Sequence, residues 1–185
     1  MIPLQGEKLL AFDTWTARGD AKDFLGDLPG PLYVLDVDGY LGREPDFDAI
    51  RAIAGEGKDI WLDIGARNAS DVMDCLILGA EKTFLNTRNL KGFEEIEKAN
   101  DLSDSIGVAL DLDEECRVVM GLLRCDLEPF LSRILDTGIE TTIMVHYRFP
   151  AERLMRHTPF VKRAYLCGSF KDLNPGIFRG LIKEV

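Results

Sequence analysis

Six times along this chain a short apolar run stops at a polar cluster and gives way to a helical stretch. Residues 32–35 run into Asp36, Asp38 and Gly39. Residues 60–62 run into Asp63, Gly65 and Arg67, and residues 83–85 into Asn86, Thr87 and Arg88. Residues 106–110 run into Asp111 and Asp113, 142–145 into His146 and Arg148, and 164–166 into Cys167, Gly168 and Ser169. The runs are nearly continuous in apolar residues and do not alternate, which is the pattern of parallel strands covered on both faces. Helix punctuation lies between them. One stretch opens at Ser70-Asp71, where Asn68 and Asp71 can form a capping pair, and closes at Gly79. Another follows Asp126, carries Pro129 in its first turn and ends at Gly138. Residues 47–53, 93–100 and 150–156 read as three more helices. Residues 116–120 follow Asp113 with no intervening helix, so a tight turn there predicts a small hairpin.

Strand and helix in alternation imply a parallel sheet with right-handed crossovers. A doubly wound sheet would carry a GxGxxG or GxxxxGK[ST] turn after a strand, and the chain has neither. Polar residues instead follow every clear strand, and a barrel is the fold that gathers all strand ends around one mouth. The expected fold is therefore α/β, a shortened TIM-type (β/α) barrel with parallel strands and outer helices, forming a single domain over residues 1–185.

Charge narrows the partners. A formal net charge of -10 argues against nucleic acid and against an anionic membrane surface. A phosphorylated or otherwise anionic small metabolite remains compatible if arginines or backbone N–H groups gather locally. The N-terminus lacks the basic and apolar blocks of a secretory signal, and no stretch reaches the roughly 18 apolar residues of a membrane span. Cys75, Cys116, Cys125 and Cys167 have no CxxC spacing and sit in or beside apolar runs, so they read as buried reduced thiols. A cytoplasmic protein is expected.

The wording of these segments resembles the HisA/HisF family, the isomerase and cyclase barrels of histidine biosynthesis. LYVLDVDGYLG is similar to that family's second strand and its V-D-L-D-G-A signature. IWLDIGARNASDVMDCLILGAEKTFLNT is similar to the third strand, helix and fourth strand, and VALDLDEECRVVM to the fifth strand with its A-L-D. The resemblance is closer still to the HisA/HisF-related proteins of methanogens and methylotrophs, which implies a biosynthetic role, cofactor biosynthesis included. It also implies that Asp111 matches one of the family's two catalytic aspartates. The other follows I-P-A-x on the first strand, whereas here Ile2-Pro3-Leu4 is followed by Gln5-Gly6, with Asp13 as the nearest stand-in. The family's G-G-G reads Asp63-Ile64-Gly65 and its G-T reads Asn86-Thr87-Arg88. Its sixth-strand Thr falls near Val145-His146 and its seventh-strand G-G at Gly168-Ser169. Residues 173–185 are too few for a seventh helix and an eighth strand with a phosphate loop, since such barrels usually take ~250 residues. The barrel is expected to be either shortened or incompletely closed, an open edge being one that a second subunit in a homo-oligomer would cover, and ordinary ribotide isomerisation is not expected.

The site expected at the mouth has Asp111, Asp63, Asp38 and His146 as acid/base residues, because clustered carboxylates tune one another's proton affinity. Arg67, Arg88, Arg148, Gly168 and Ser169 would hold an anionic substrate through guanidinium and backbone N–H groups. The bland alternative is that Asp36 and Asp38 cap helices, Asp113 shapes the hairpin, His157 is structural and the arginines are surface residues. Trp61 and Trp15 read as packing residues. Asp38, Asp63, Asp111 and His146 offer ligands suited to a divalent cation, but neither metal nor cofactor is expected. The resulting reading is isomerase-type acid/base chemistry on an anionic metabolite. The alternative is a degenerate, non-catalytic barrel acting as a binding or assembly subunit.

Overall fold

The computed structural model describes residues 8–12, 32–55, 57, 59–145, 163–167 and 179–184. His146, Arg148, Gly168, Ser169, His157, Asp13, Trp15 and the expected helix at 150–156 lie outside them. The strands are β1 (Lys8–Phe12), β2 (Leu32–Asp36), β3 (Ile60–Ala66), β4 (Lys82–Asn86), β5 (Ile106–Asp111), β6 (Val118–Met120), β7 (Leu123–Cys125), β8 (Thr142–Val145), β9 (Ala164–Cys167) and β10 (Gly180–Glu184). The helices are α1 (Val37–Tyr40), α2 (Phe47–Ala54), α3 (Ala69–Ile77), α4 (Glu94–Leu102) and α5 (Leu127–Thr137), with a 3-10 turn at Thr87–Asn89.

Eight parallel strands close into a barrel in the order β1-β10-β9-β8-β5-β4-β3-β2. The fold is the expected shortened TIM-type barrel, and of its two expected forms it takes the closed one. β10 is the eighth strand: Gly180 pairs with Tyr165 of β9, and Lys183 pairs with Lys8 of β1. Five extended residues suffice because ring closure needs only backbone partners on both sides. Among the described residues the eight-stranded sheet leaves no open edge.

Side-chain alternation divides the barrel into two apolar layers. Leu32 and Val34 of β2, Ile60 and Leu62 of β3, Leu85 of β4, and Val108 and Leu110 of β5 join Ile53, Val72, Ile96, Phe130 and Ile134 of the helices in the outer core. The intervening positions point inward, where Tyr33, Leu35, Trp61, Phe84, Ala109, Ile143, Tyr165 and Cys167 form a separate cluster. Tyr33 meets Phe84 edge-to-face at 5.3 Å, and Trp61 meets Tyr165 edge-to-face at 5.3 Å. Such pairs each add about 0.5–1.5 kcal/mol beyond their buried area. Trp61 is thus a packing residue, as expected.

Local chemistry explains the boundaries. Asn68 Oδ1 accepts the Ser70 and Asp71 N–H groups at 2.8 and 3.1 Å, while Asp71 Oδ2 accepts the Arg67 N–H at 2.7 Å, a reciprocal cap that starts α3. Gly138 ends α5 in the left-handed region at φ 85. The hairpin differs in part from its prediction. Leu112 and Val118 make the expected antiparallel bridge, and Asp113 holds the turn through the Glu115 and Arg117 N–H groups. The full ladder, however, runs forward from β6 to β7, because positive-φ Gly121 reverses the chain a second time. None of the four cysteines is in a disulfide; Cys75, Cys116 and Cys167 are buried, but Cys125 is only half-buried. No helix among the described residues is long and apolar enough to cross a membrane.

Candidate active site

The inward alternation that places Trp61, Phe84 and Ala109 in the barrel also turns Asp63, Asn86 and Asp111 inward, two residues further toward the C-terminal mouth. Asp36 has the opposite parity. Its carboxylate accepts the Gly39 N–H at 2.8 Å and the Asp46 N–H at 2.9 Å, tying down the connection between β2 and α2. Burial raises the Asp36 pKa despite those two donors.

Asp63 is wholly buried. Its Oδ2 accepts the Tyr33 hydroxyl at 2.7 Å and the Asn86 amide at 2.9 Å, and its Oδ1 accepts the Gly65 N–H at 2.9 Å. Desolvation raises its pKa, and the three neutral donors oppose that rise. Gly65 reaches the carboxylate because β3 loses its register with β4 between Leu62 and Ala66, and the backbone there takes φ 65.

Asp111 ends β5 in different company. The Tyr40 hydroxyl donates to its Oδ2 at 3.0 Å, and Arg88 Nε forms a short, charge-assisted hydrogen bond to the same oxygen. Among the described residues no donor reaches Oδ1. The Asp111 N–H donates to Thr87 Oγ1 at 3.0 Å, which fixes the strand end against the 3-10 turn. The Arg88 side chain stays 45% exposed, against 6% for Asp111, so the cation faces solvent while the carboxylate sits below it. The guanidinium also lies over the Tyr40 ring, 5.2 Å from its centre. Burial, then the Asp111 charge, pushes the Tyr40 phenol far above the ordinary tyrosine value, which keeps it a neutral donor. Partial burial opposes the charge of Arg88, but Tyr40 and Asp111 outweigh it and raise its pKa.

The sequence model of the family described as histidine biosynthesis protein matches residues 21–146, well over half of the chain. The chain belongs to this family. The matched span contains β2 to β5 and β8, and with them every residue of the Asp111 and Asp63 clusters. Compared with curated proteins, the chain finds no match.

Within this family member, the structure brings Arg88 onto Asp111 but separates the other candidates into different settings. Asp38 is buried and paired with Arg43 at 2.7 Å. Arg67 donates to the carbonyl oxygens of Gly42 at 2.8 Å and Arg43 at 3.2 Å, beside a cleft of about 290 Å³ that Pro45, Phe47 and Asp71 help to line. His146, Arg148, Gly168 and Ser169 lie outside the described residues. Sequence reasoning missed Tyr40, Tyr33 and Asn89 as site residues. The signal for Tyr40 was its place directly after the D-V-D-G that follows β2. Among the described residues no group of three or more His, Cys, Asp or Glu side chains is placed to hold a metal ion.

Proposed function

We propose that this barrel performs isomerase-type acid/base chemistry on a phosphorylated or otherwise anionic small metabolite in the cytoplasm, with Asp111 as the proton-transferring group. The observation that carries this reading is the asymmetric setting of the Asp111 carboxylate. Tyr40 and Arg88 both hold Oδ2, so the group is oriented, and no donor among the described residues occupies Oδ1, the oxygen that would meet a substrate proton. Arg88 supplies the exposed cation that an acidic chain needs beside its reacting centre to attract an anion. Asp63, enclosed by three donors, keeps Tyr33 and Asn86 in place. Arg67 and Arg148 are further candidates for the anion, and Asp38, His146, Gly168 and Ser169 for completing the site.

The test begins with a thermal-shift screen against phosphosugars, ribotides and pterin or furan phosphates. A ligand at about 100 times its dissociation constant adds about 2.7 kcal/mol, a rise of roughly 5–11 °C for a chain of this size. With a turnover assay on the hit, Asp111→Asn should cut kcat by about a hundredfold or more while its melting temperature stays near wild type. Near-normal turnover in Asp111→Asn sinks the assignment. No shift with any anionic metabolite favours the non-catalytic binding or assembly barrel.

A further inference from the structure

The single-turn helix after β2, the bulged end of β3 and the 3-10 turn after β4 meet at one side-chain amide. Asn89 Nδ2 donates to the Gly39 carbonyl at 3.1 Å and to the Gly65 carbonyl at 2.9 Å. Both partners are acceptors, so the amide must present its nitrogen, and both of its N–H groups are used. The connections touch through bare backbone here. A Cβ on Gly39 would lie 2.0 Å from the Ile64 carbonyl oxygen. One on Gly65 would lie 2.4 Å from the Gly39 oxygen and 2.3 Å from Asn89 Nδ2. Neither glycine can take a side chain without forcing this junction apart.

The junction stands beside both donors to Asp111. Gly39 immediately precedes Tyr40, and Asn89 immediately follows Arg88. The turn that bears Arg88 is tied separately to β4 and β5, through the Arg88 N–H on Asn86 Oδ1 at 3.1 Å and the Asp111 N–H on Thr87 Oγ1. Tyr40 sits on the other side, in a single helical turn after β2 that gains its fixed distance from Arg88 across the amide. We propose that Asn89 is a positioning residue that clamps α1 to the end of β3 and the turn after β4, and so sets Tyr40 against Asp111 beside Arg88. The consequence for turnover rests on the proton-transfer reading of Asp111; the clamp itself does not.

The full chain with Asn89→Ala and Asn89→Ser tests it, with Ser keeping one donor should Ala fail to fold. Tyrosine ionisation is read by ultraviolet absorbance, with Tyr40→Phe as reference among the four tyrosines. Below pH 11 the wild type should yield as many phenolates as Tyr40→Phe, because Tyr40 stays protonated against Asp111. Asn89→Ala should yield one more, as Tyr40 drifts from the carboxylate toward an ordinary pKa of about 10. Its kcat should fall about tenfold or more with little change in KM, and Asn89→Ser should lie between. An unchanged phenolate count in folded Asn89→Ala or Asn89→Ser overturns the clamp. If Asp111→Asn proves fully active while Asn89→Ala still gains a phenolate, the proton-transfer reading has failed and the clamp stands.

Discussion

Two inward carboxylates on the mouth side of this barrel, Asp63 within β3 and Asp111 at the end of β5, are treated in opposite ways. Asp63 is surrounded by neutral donors that use both of its oxygens, with no solvent contact. Asp111 is held by a phenol and a guanidinium on one oxygen, beneath a cation that faces water. A buried charge with its hydrogen bonds complete organises its neighbours, whereas a charge with an oxygen that no described residue holds can act on something that arrives. Strand position alone does not distinguish the two roles; the partners do.

The largest effect that could break this contrast is on stability. Asp63→Leu leaves the Tyr33 hydroxyl, the Asn86 amide and the Gly65 N–H without their acceptor inside the barrel. A loss of about 3 kcal/mol or more is expected, a drop of roughly 6–12 °C in Tm by calorimetry for a chain this long. A loss no greater than that of Asp111→Asn would erase the difference between the two carboxylates.

A medium effect sharpens it. Burial lifts the folded-state pKa of Asp63 above an unfolded value near 3.9. The folded chain then binds the proton more tightly, so this contribution to stability falls as pH rises from about 3.9 through the raised value and is flat above it. Measured as the Tm difference from Asp63→Asn, wild type should therefore gain ground as pH drops from 7 toward 4. Asp36 has the same sign but is common to both proteins and cancels. A difference independent of pH would mean that Asp63 titrates alike in both states.

The smallest effect is at the outer rim. Arg43 is 57% exposed and bonds Asp38 from the solvent side, so Arg43→Ala should cost no more than about 1 kcal/mol in urea unfolding. A larger loss would make Asp38 a second structural carboxylate like Asp63.

Much of this was legible from the chain. Continuous apolar runs gave the parallel strands, Asn68 and Gly138 marked helix ends, and the polar residue after each strand pointed to the mouth and to Asp111 and Arg88. β10 was not legible. GLIKE is five residues with two charges at its end, and its strand character comes from the two neighbours that complete its hydrogen bonds. Tyr40 and Asn89 were missed for a related reason. Their partners lie 71 and 50 residues away along the chain, and such meetings depend on the register of adjacent strands, which no local pattern carries. Asp63 was read as a mouth residue because its spacing matches that of Asp111, and only the bulge at Gly65 and the hydroxyl of Tyr33 enclose it.

The pairing of β10 with β1 also has a consequence in time. β10 is the last described strand to leave the ribosome, and until it docks, β1 and β9 each present an unpaired edge. A nascent chain at that stage offers two templates for foreign strands. The final five-residue strand is therefore the seal that converts an adhesive open sheet into a ring without ends.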